Sequence, residues 1–445
     1  MIVVFAYLAL FLICCWALFN INQKSASLSK SVFVALFFGA IIGVSLHFIP
    51  AGTSKTVIAW YGIAGNGYVN LLKVVAIPLI FISILSAINK LENSAGIGKM
   101  SLTIVGCMLC LVMIAGLVGL LTAHTLGLDA SVFGNMQSTL TADDVSTTAA
   151  VSLPKLVTSL IPTNIFQDLA GTRSVSVIGI VIFTLLAGIA LLKVKQDAPE
   201  EGAKLSAGIN AIQIWVMKMV RIVIALTPYG VMALMAGIFS SYRWAQFASL
   251  LGFIAACYIA VLMMFVVHAI LLVVSGNNPV KYLKTVWPVL TFAFVSRSSA
   301  ASIPLAISAL EKYGVKSTIA NIAASFGSSM GQNGCAGVYP AIMIAMIAPV
   351  MGIDPLSLHF LMAMLPAIAL GSIGVAGVGG GGTFAALIVL STLNFPVALV
   401  GVFIAIEPIV DMARTALNVN GSMMSGVLAN RILKQQPEPV PVTTE

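Results

Sequence analysis

The chain has 445 residues, 60% hydrophobic and 8% charged, with a mean hydropathy of +1.07. That balance excludes a soluble domain and indicates a polytopic membrane protein embedded in a lipid bilayer. The net charge of +8 does not support nucleic-acid binding, because the basic residues are dispersed over short loops and form no patch.

Apolar runs predict spans at about 2–20, 31–49, 57–89, 100–128, 174–193, 209–239, 247–275, 317–348 and 397–430. The first run lacks a basic leader and a small-residue cleavage site, so it reads as a retained helix. All six cysteines lie in apolar stretches, which argues against disulfides and a zinc site. Two further apolar regions, about 285–312 and 356–395, are interrupted by "SRSSAASIP" (296–304) and "GSIGVAGVGGGGT" (371–383). Backbone freed at such interruptions cannot face lipid but is tolerated inside protein. Each region therefore reads as a re-entrant helical hairpin.

Loop charge sets the orientation. Lys24, Lys30, Lys90, Lys99, Lys193, Lys195, Lys204, Lys281, Lys284, Lys312, Lys316, Arg431 and Lys434 fall on one side. Lys55, Lys155, Arg173, Arg243, Asp129, Asp143 and Asp144 fall on the other. The positive-inside rule places the N-terminus outside and the C-terminus in the cytoplasm. The two hairpins then enter from opposite faces, as inverted repeats of a secondary transporter do. The tail 435–445 reads as disordered.

Glu407 and Asp411 are the acidic residues set deep in a span. With Arg414, Thr415 and Asn418 they recur at helical spacing on one face, which Ser422 extends. Buried charge persists when paired or when it meets a polar ligand. A salt bridge between Asp411 and Arg414 alone would explain two of these residues. An amino-acid site explains the whole face: a carboxylate for an ammonium, a guanidinium fork for a carboxylate, and Thr and Asn for remaining oxygens. At "SRSSAASIP", a half-helix N-terminus with Ser298 and Ser299 suits an α-carboxylate. The glycine-spaced "ASFGSSMGQNGCAGVYP" (324–340) predicts an unwound segment whose carbonyls suit small cations, with close packing through small residues as the alternative. The run "GVGGGG" suits a moving external gate, and it lacks the Lys-Ser/Thr of a phosphate loop. An enzyme is not expected: Cys335 and His268 are conceivable as nucleophile and base, but nothing in the sequence orients them.

These motifs resemble the dicarboxylate/amino acid:cation symporter family, which has the glutamate transporter fold, over nearly all the chain after about residue 27. "SRSSAASIP" is similar to its serine-rich hairpin tip, "GSSMGQNGCAG" to its N-M-D-G-T segment, and "DMARTALNVNGS" to its last-helix signature. "IPTNIF" (161–166) is a further match. The wording "FAFVSRSSAASIPL" and "GVAGVGGGGTFAALIVL" is most similar to the bacterial L-cystine symporter branch.

The resemblance implies an all-α homotrimer in the bacterial inner membrane, each protomer pairing a static scaffold with a mobile elevator domain. Residues 27–95 and 129–246 would be scaffold, the latter including an external loop, and 96–128 and 247–434 transport domain. Residues 1–26 would be an extra transmembrane helix. Asp411 would hold the substrate ammonium. Thr415, Asn418, Ser298 and Ser299 would hold its α-carboxylate, and Arg414 a second carboxylate. Cys335, Val378 and Gly382 would line the pocket, with Glu407 adjoining. Cation positions would fall at Gly327, Ser329, Ser372, Val375, Asn418 and Ser422. The sequence departs from the family where acids are expected: Asn333 and Ser422 stand there instead. From Ile104 to Leu121 no side chain carries a hydroxyl or amide. Fewer sodium ions, or protons through Glu407, are therefore implied, with no cofactor. Glutamate, aspartate or a C4 dicarboxylate is the alternative substrate, and an anion channel the alternative class. Glu407, one turn from Asp411, disfavours a plain dicarboxylate and favours L-cystine.

Overall fold

The computed structural model describes residues 2–25, 28–89, 95–131, 161–170, 176–240, 244–373, 375, 380–396, 398–404 and 406–434. Val378, the tail 435–445, most of the external loop, and residues 374 and 376–379 of the glycine run lie outside them. Among the described residues the elements are helices and no strands. An oily chain in lipid must satisfy its backbone groups within each segment, and helices do so.

The first helices are α1 (Ile2–Ser25), α2 (Leu28–His47), α3 (Ala51–Asn89) and α4 (Ala95–Thr125). A short α5 (Ile165–Leu169) precedes α6 (Ser176–Asp197). Its N-cap is Asn164, whose side chain accepts the Phe166 amide. At 39 residues, α3 is about 58 Å long at the helical rise of roughly 1.5 Å per residue. It exceeds the bilayer core, and Pro78 lies within it, so tilting or kinking accommodates the excess. Seven helical segments among the described residues are long and apolar enough to cross a membrane. Large apolar side chains such as Ile63 and Leu262 stand exposed on the surface, as a lipid-facing wall requires.

The expected span 209–239 is corrected. Its helix starts earlier, at Pro199, and the region is jointed: α7 (Pro199–Ala225) is followed by α8 (Thr227–Ser240). Pro199 with Glu200 and Glu201 makes a favourable helix start. Pro228 lacks an N–H and disfavours helix at Thr227, which sets the joint at Leu226. Thr227 and Tyr68 share a buried hydroxyl hydrogen bond of 2.8 Å across the α3–α8 contact.

After α9 (Trp244–Val274) comes the first hairpin, α10 (Pro279–Ser296) and α11 (Ile303–Tyr313). It opens six residues before the expected 285, because Asn278 caps α10 by accepting the Val280 and Lys281 amides. Residues 297–302 form the expected broken tip, turned by Arg297 in a left-handed conformation. The unwound segment also forms. Helix α12 (Ser317–Gly327) ends, residues 328–332 leave helical geometry, and a π-turn (Asn333–Val338) leads into α13 (Tyr339–Ile347).

The second hairpin has arms α14 (Leu358–Ser372) and α15 (Gly381–Thr392). The last expected span, 397–430, is interrupted. It is α16 (Ala398–Ile404) and then α17 (Glu407–Ile432), with Pro408 in the first turn of α17. A proline is accepted there because its missing donor would be unpaired anyway.

Packing falls into two groups. Helices α1, α2, α3 and α8 pack together, and α3 also packs on α6 and α7. Helices α4, α9, α10, α12 and the π-turn surround α17. Arm α15 touches both groups through α3 and α6 on one side and the π-turn on the other. Two glycines bring the π-turn against α4. A Cβ on Gly119 would lie 2.7 Å from the Val338 carbonyl oxygen, and one on Gly337 would lie 2.8 Å from that of Val112. Backbone cannot yield as a side-chain end can. Gly119→Leu or Gly337→Leu is therefore expected to lower the thermal unfolding midpoint in detergent, by the roughly 1–3 kcal/mol typical of overpacking.

Candidate functional site

The site is built on the first three turns of α17. Glu407, Asp411, Arg414, Thr415 and Asn418 are all buried. The helix repeat puts them on one face, and Arg414 reaches back along it. Its Nη2 donates to Glu407 Oε1 at 3.1 Å and to Asp411 Oδ1 at 3.4 Å. Thr415 Oγ1 donates to Asp411 Oδ1 at 3.4 Å. Asp411 has a third partner from the first hairpin tip: Arg297 Nε donates to its Oδ2 at 2.9 Å. Two guanidiniums thus face two carboxylates, and the buried charges balance.

Arg414 is 0% exposed. Its guanidinium carbon lies 4.0 Å from the centre of the Tyr339 ring, a cation–π contact. Gly382 leaves room for the guanidinium, since a Cβ there would overlap Nη1. The Nε and Nη1 of Arg414 and the hydroxyl of Tyr339 have no hydrogen-bond partner among the described residues. Unpaired buried donors are costly. Arg414 is therefore a half-used fork, able to accept an anionic ligand group.

Asn418 ties α17 to the unwound segment. Its Oδ1 accepts the amides of Gly334 (2.7 Å) and Cys335 (3.2 Å). Its Nδ2 meets Cys335 Sγ at 3.1 Å and Gln332 Oε1 at 3.4 Å. The structure therefore brings Glu407, Asp411, Arg414, Thr415, Asn418, Cys335 and Gly382 together. Ser298 and Ser299 adjoin through Arg297. Ser298 Oγ accepts the Ala301 amide at 3.2 Å, and Ser299 is buried.

Of the candidate cation positions, Asn418 is part of this cluster. Gly327 abuts Ser422 so closely that a Cβ would overlap it, and Ser422 Oγ donates to the Val419 carbonyl at 3.0 Å. Ser329 Oγ donates to the Phe326 carbonyl at 3.2 Å. The carbonyls of Ser372 and Val375 accept from Gly331 N at 3.2 Å and Gln332 Nε2 at 3.3 Å.

Sequence reasoning passed over three participants. Arg297 was legible as a lone cation at membrane depth, but it was hidden among serines. Tyr339 gave no signal beyond being aromatic in an apolar run. Gln332 stood inside a quoted motif without an assigned role. A fourth buried group, His268, contacts Asn333 Nδ2 at 3.2 Å and Asn420 Nδ2 at 2.7 Å, so its partners are neutral amides.

The model of the sodium:dicarboxylate symporter family matches residues 28–432, that is, everything from α2 to the end of α17. The chain belongs to the sodium:dicarboxylate symporter family. Helix α1 precedes the matched range. Within this symporter family, an L-cystine uptake protein, TcyP, of Bacillus cereus is 45% identical over 436 residues, covering 96% of this chain and 94% of its own. The TcyP of Bacillus licheniformis is 43% identical, covering 94% and 92%. An uncharacterized symporter of Haemophilus influenzae is 41% identical, covering 96% and 99%.

The balance of buried charge can be measured. Arg414→Met leaves Glu407 and Asp411 without their shared partner and is expected to cost about 3–5 kcal/mol. Adding Glu407→Gln removes one stranded charge and should recover part of that loss. A double-mutant cycle by thermal unfolding in detergent checks the coupling, which vanishes if the two sites act independently.

Proposed function

We propose that this symporter imports L-cystine by secondary active transport, with an elevator movement of the hairpin-bearing domain and a cation gradient as the driving force. One observation carries the reading: the site holds two carboxylates and two guanidiniums that neutralise one another. L-cystine carries two ammonium and two carboxylate groups. Each group of the ligand then has a partner of opposite charge, Asp411 and Glu407 for the ammoniums, Arg414 and Arg297 for the carboxylates. A plain dicarboxylate would satisfy the guanidiniums but leave Glu407 facing like charge. The name carried by the Bacillus relatives supports the same substrate.

In this reading Arg297 occupies Asp411 until an ammonium displaces it, and then turns to a ligand carboxylate. Thr415, Asn418 and the Ser298–Ser299 tip take the remaining carboxylate oxygens. Cys335 lines the pocket. The protein works as a homotrimer in the inner membrane, N-terminus outside and C-terminus in the cytoplasm. The coupling cation is sodium or a proton, with Glu407 the candidate proton carrier. No cofactor or enzymatic step enters the mechanism.

Purified protein in proteoliposomes is expected to accumulate labelled L-cystine under an imposed cation gradient, with strong competition by diaminopimelate and weak competition by glutamate. Strong glutamate competition without L-cystine uptake would overturn the substrate, and substrate-independent single-channel current without accumulation would favour a channel. Cys335→Ser should retain uptake, since its thiol is a lining group; complete loss would give it a larger part. If a proton is the coupling ion, Glu407→Gln should abolish concentrative uptake while exchange persists, and retained accumulation removes Glu407 as the carrier.

A further inference from the structure

The family name implies sodium, and the carbonyls of the unwound segment and second hairpin are where such an ion would be sought. The residues there do not fit it. A hard cation needs a shell of available oxygens, usually with nearby negative charge. Here N–H groups already face three of those oxygens. Gln332 Nε2 donates to the Ser328 carbonyl at 3.1 Å and to the Val375 carbonyl at 3.3 Å. The Gly331 amide donates to the Ser372 carbonyl at 3.2 Å. Glu407 and Asp411, the acids nearest this layer, are engaged by Arg414 and Arg297. Asn333, beside Gln332, is neutral and meets His268. Among the described residues no three metal-ligating side chains cluster.

We propose that the Gln332 carboxamide is a built-in neutral tether, joining the carbonyls that a cation would otherwise bridge. A primary amide has two N–H groups on one atom, so it can hold two carbonyls at once. Its orientation is set by its surroundings. Turned over, Oε1 would face two carbonyl oxygens and Nε2 would face the Asn418 amide nitrogen. As placed, Oε1 accepts from Asn418 Nδ2 at 3.4 Å. Gln332 is 1% exposed, so water does not compete for these bonds. One side chain thus connects the unwound segment, the second hairpin at Val375 and the substrate face of α17. Gln332 is a positioning residue: the hairpin is held without sodium, and the driving ion acts elsewhere. This deepens the symporter reading and rests on it.

The test is hydrogen exchange on the full-length protein in nanodiscs without substrate, following peptides that report Gly371 to Ile373 and Val375. Wild-type exchange should agree within twofold between sodium chloride and choline chloride. Gln332→Met should exchange at least tenfold faster in both. Gln332→Glu sets a carboxylate oxygen against two carbonyl oxygens, a contact that a cation can relieve. It should exchange fast in choline and at least fivefold slower in sodium. Slowing of the wild type by sodium overturns the tether, as does wild-type exchange in Gln332→Met. If Gln332→Met fails to fold, equal exchange of Gln332→Glu and wild type in choline overturns it as well. Absence of L-cystine uptake under every gradient would sink the substrate reading alone, because the exchange measurement contains no substrate.

Discussion

The structure is organised around one guanidinium kept out of water. A buried Arg414 is tolerable only if its charge is matched and its plane covered, and each requirement recruits a different element. Glu407 and Asp411 match the charge from the same helix face. Tyr339, just beyond the π-turn, packs on its ring plane, and Gly382, at the start of α15, leaves room for it. Asp411 in turn draws in Arg297 from the first hairpin. The two hairpins and the broken helix meet on α17 because a charge in low dielectric must be satisfied from all directions.

That constraint explains why so oily a chain interrupts its helices. A continuous helix hides its N–H and C=O groups, so it can offer a ligand only side chains. The breaks at 297–302 and 328–332 release backbone groups. The freed groups meet partners: the Ser298 carbonyl accepts from Ser302 Oγ, those of Ser328 and Val375 accept from Gln332 Nε2, and the Gly334 and Cys335 amides donate to Asn418 Oδ1. Much of the buried polar chemistry gathers around these breaks, while side chains such as Ile63 and Leu262 stand exposed on the surface.

Much of this was legible in the sequence. Residues 407, 411, 414, 415 and 418 share a face by helix geometry alone, and small polar runs inside apolar regions announce both hairpins. What escaped depends on three-dimensional partners. Arg297 lies 114 positions from Asp411, and a serine-rich tip reads as an anion platform whichever way its one arginine turns. Gln332 gains its meaning from carbonyls in two other segments, and no periodicity reports these. Helix limits erred where a cap outweighed hydropathy: Asn278 and Pro199 start helices in sequence that is not yet apolar. The joint at Leu226 was signalled by Pro228, but the apolar run around it was the stronger cue.

The π-turn between Gln332 and Tyr339 has a consequence for how this segment can change. Ala336 N and Gly337 N both reach the Gln332 carbonyl, at 2.8 and 3.4 Å, so the turn carries one residue more than an α-turn needs. Substitution leaves that surplus in place, whereas losing one residue lets the turn relax to an ordinary helix. Everything upstream would then rotate by about 100°, the step of a 3.6-residue helix. Cys335 would trade places with a neighbour, and Asn418 would meet a different pair of amides. In this part of the chain the number of residues carries information in its own right, as the reading frame does in a message.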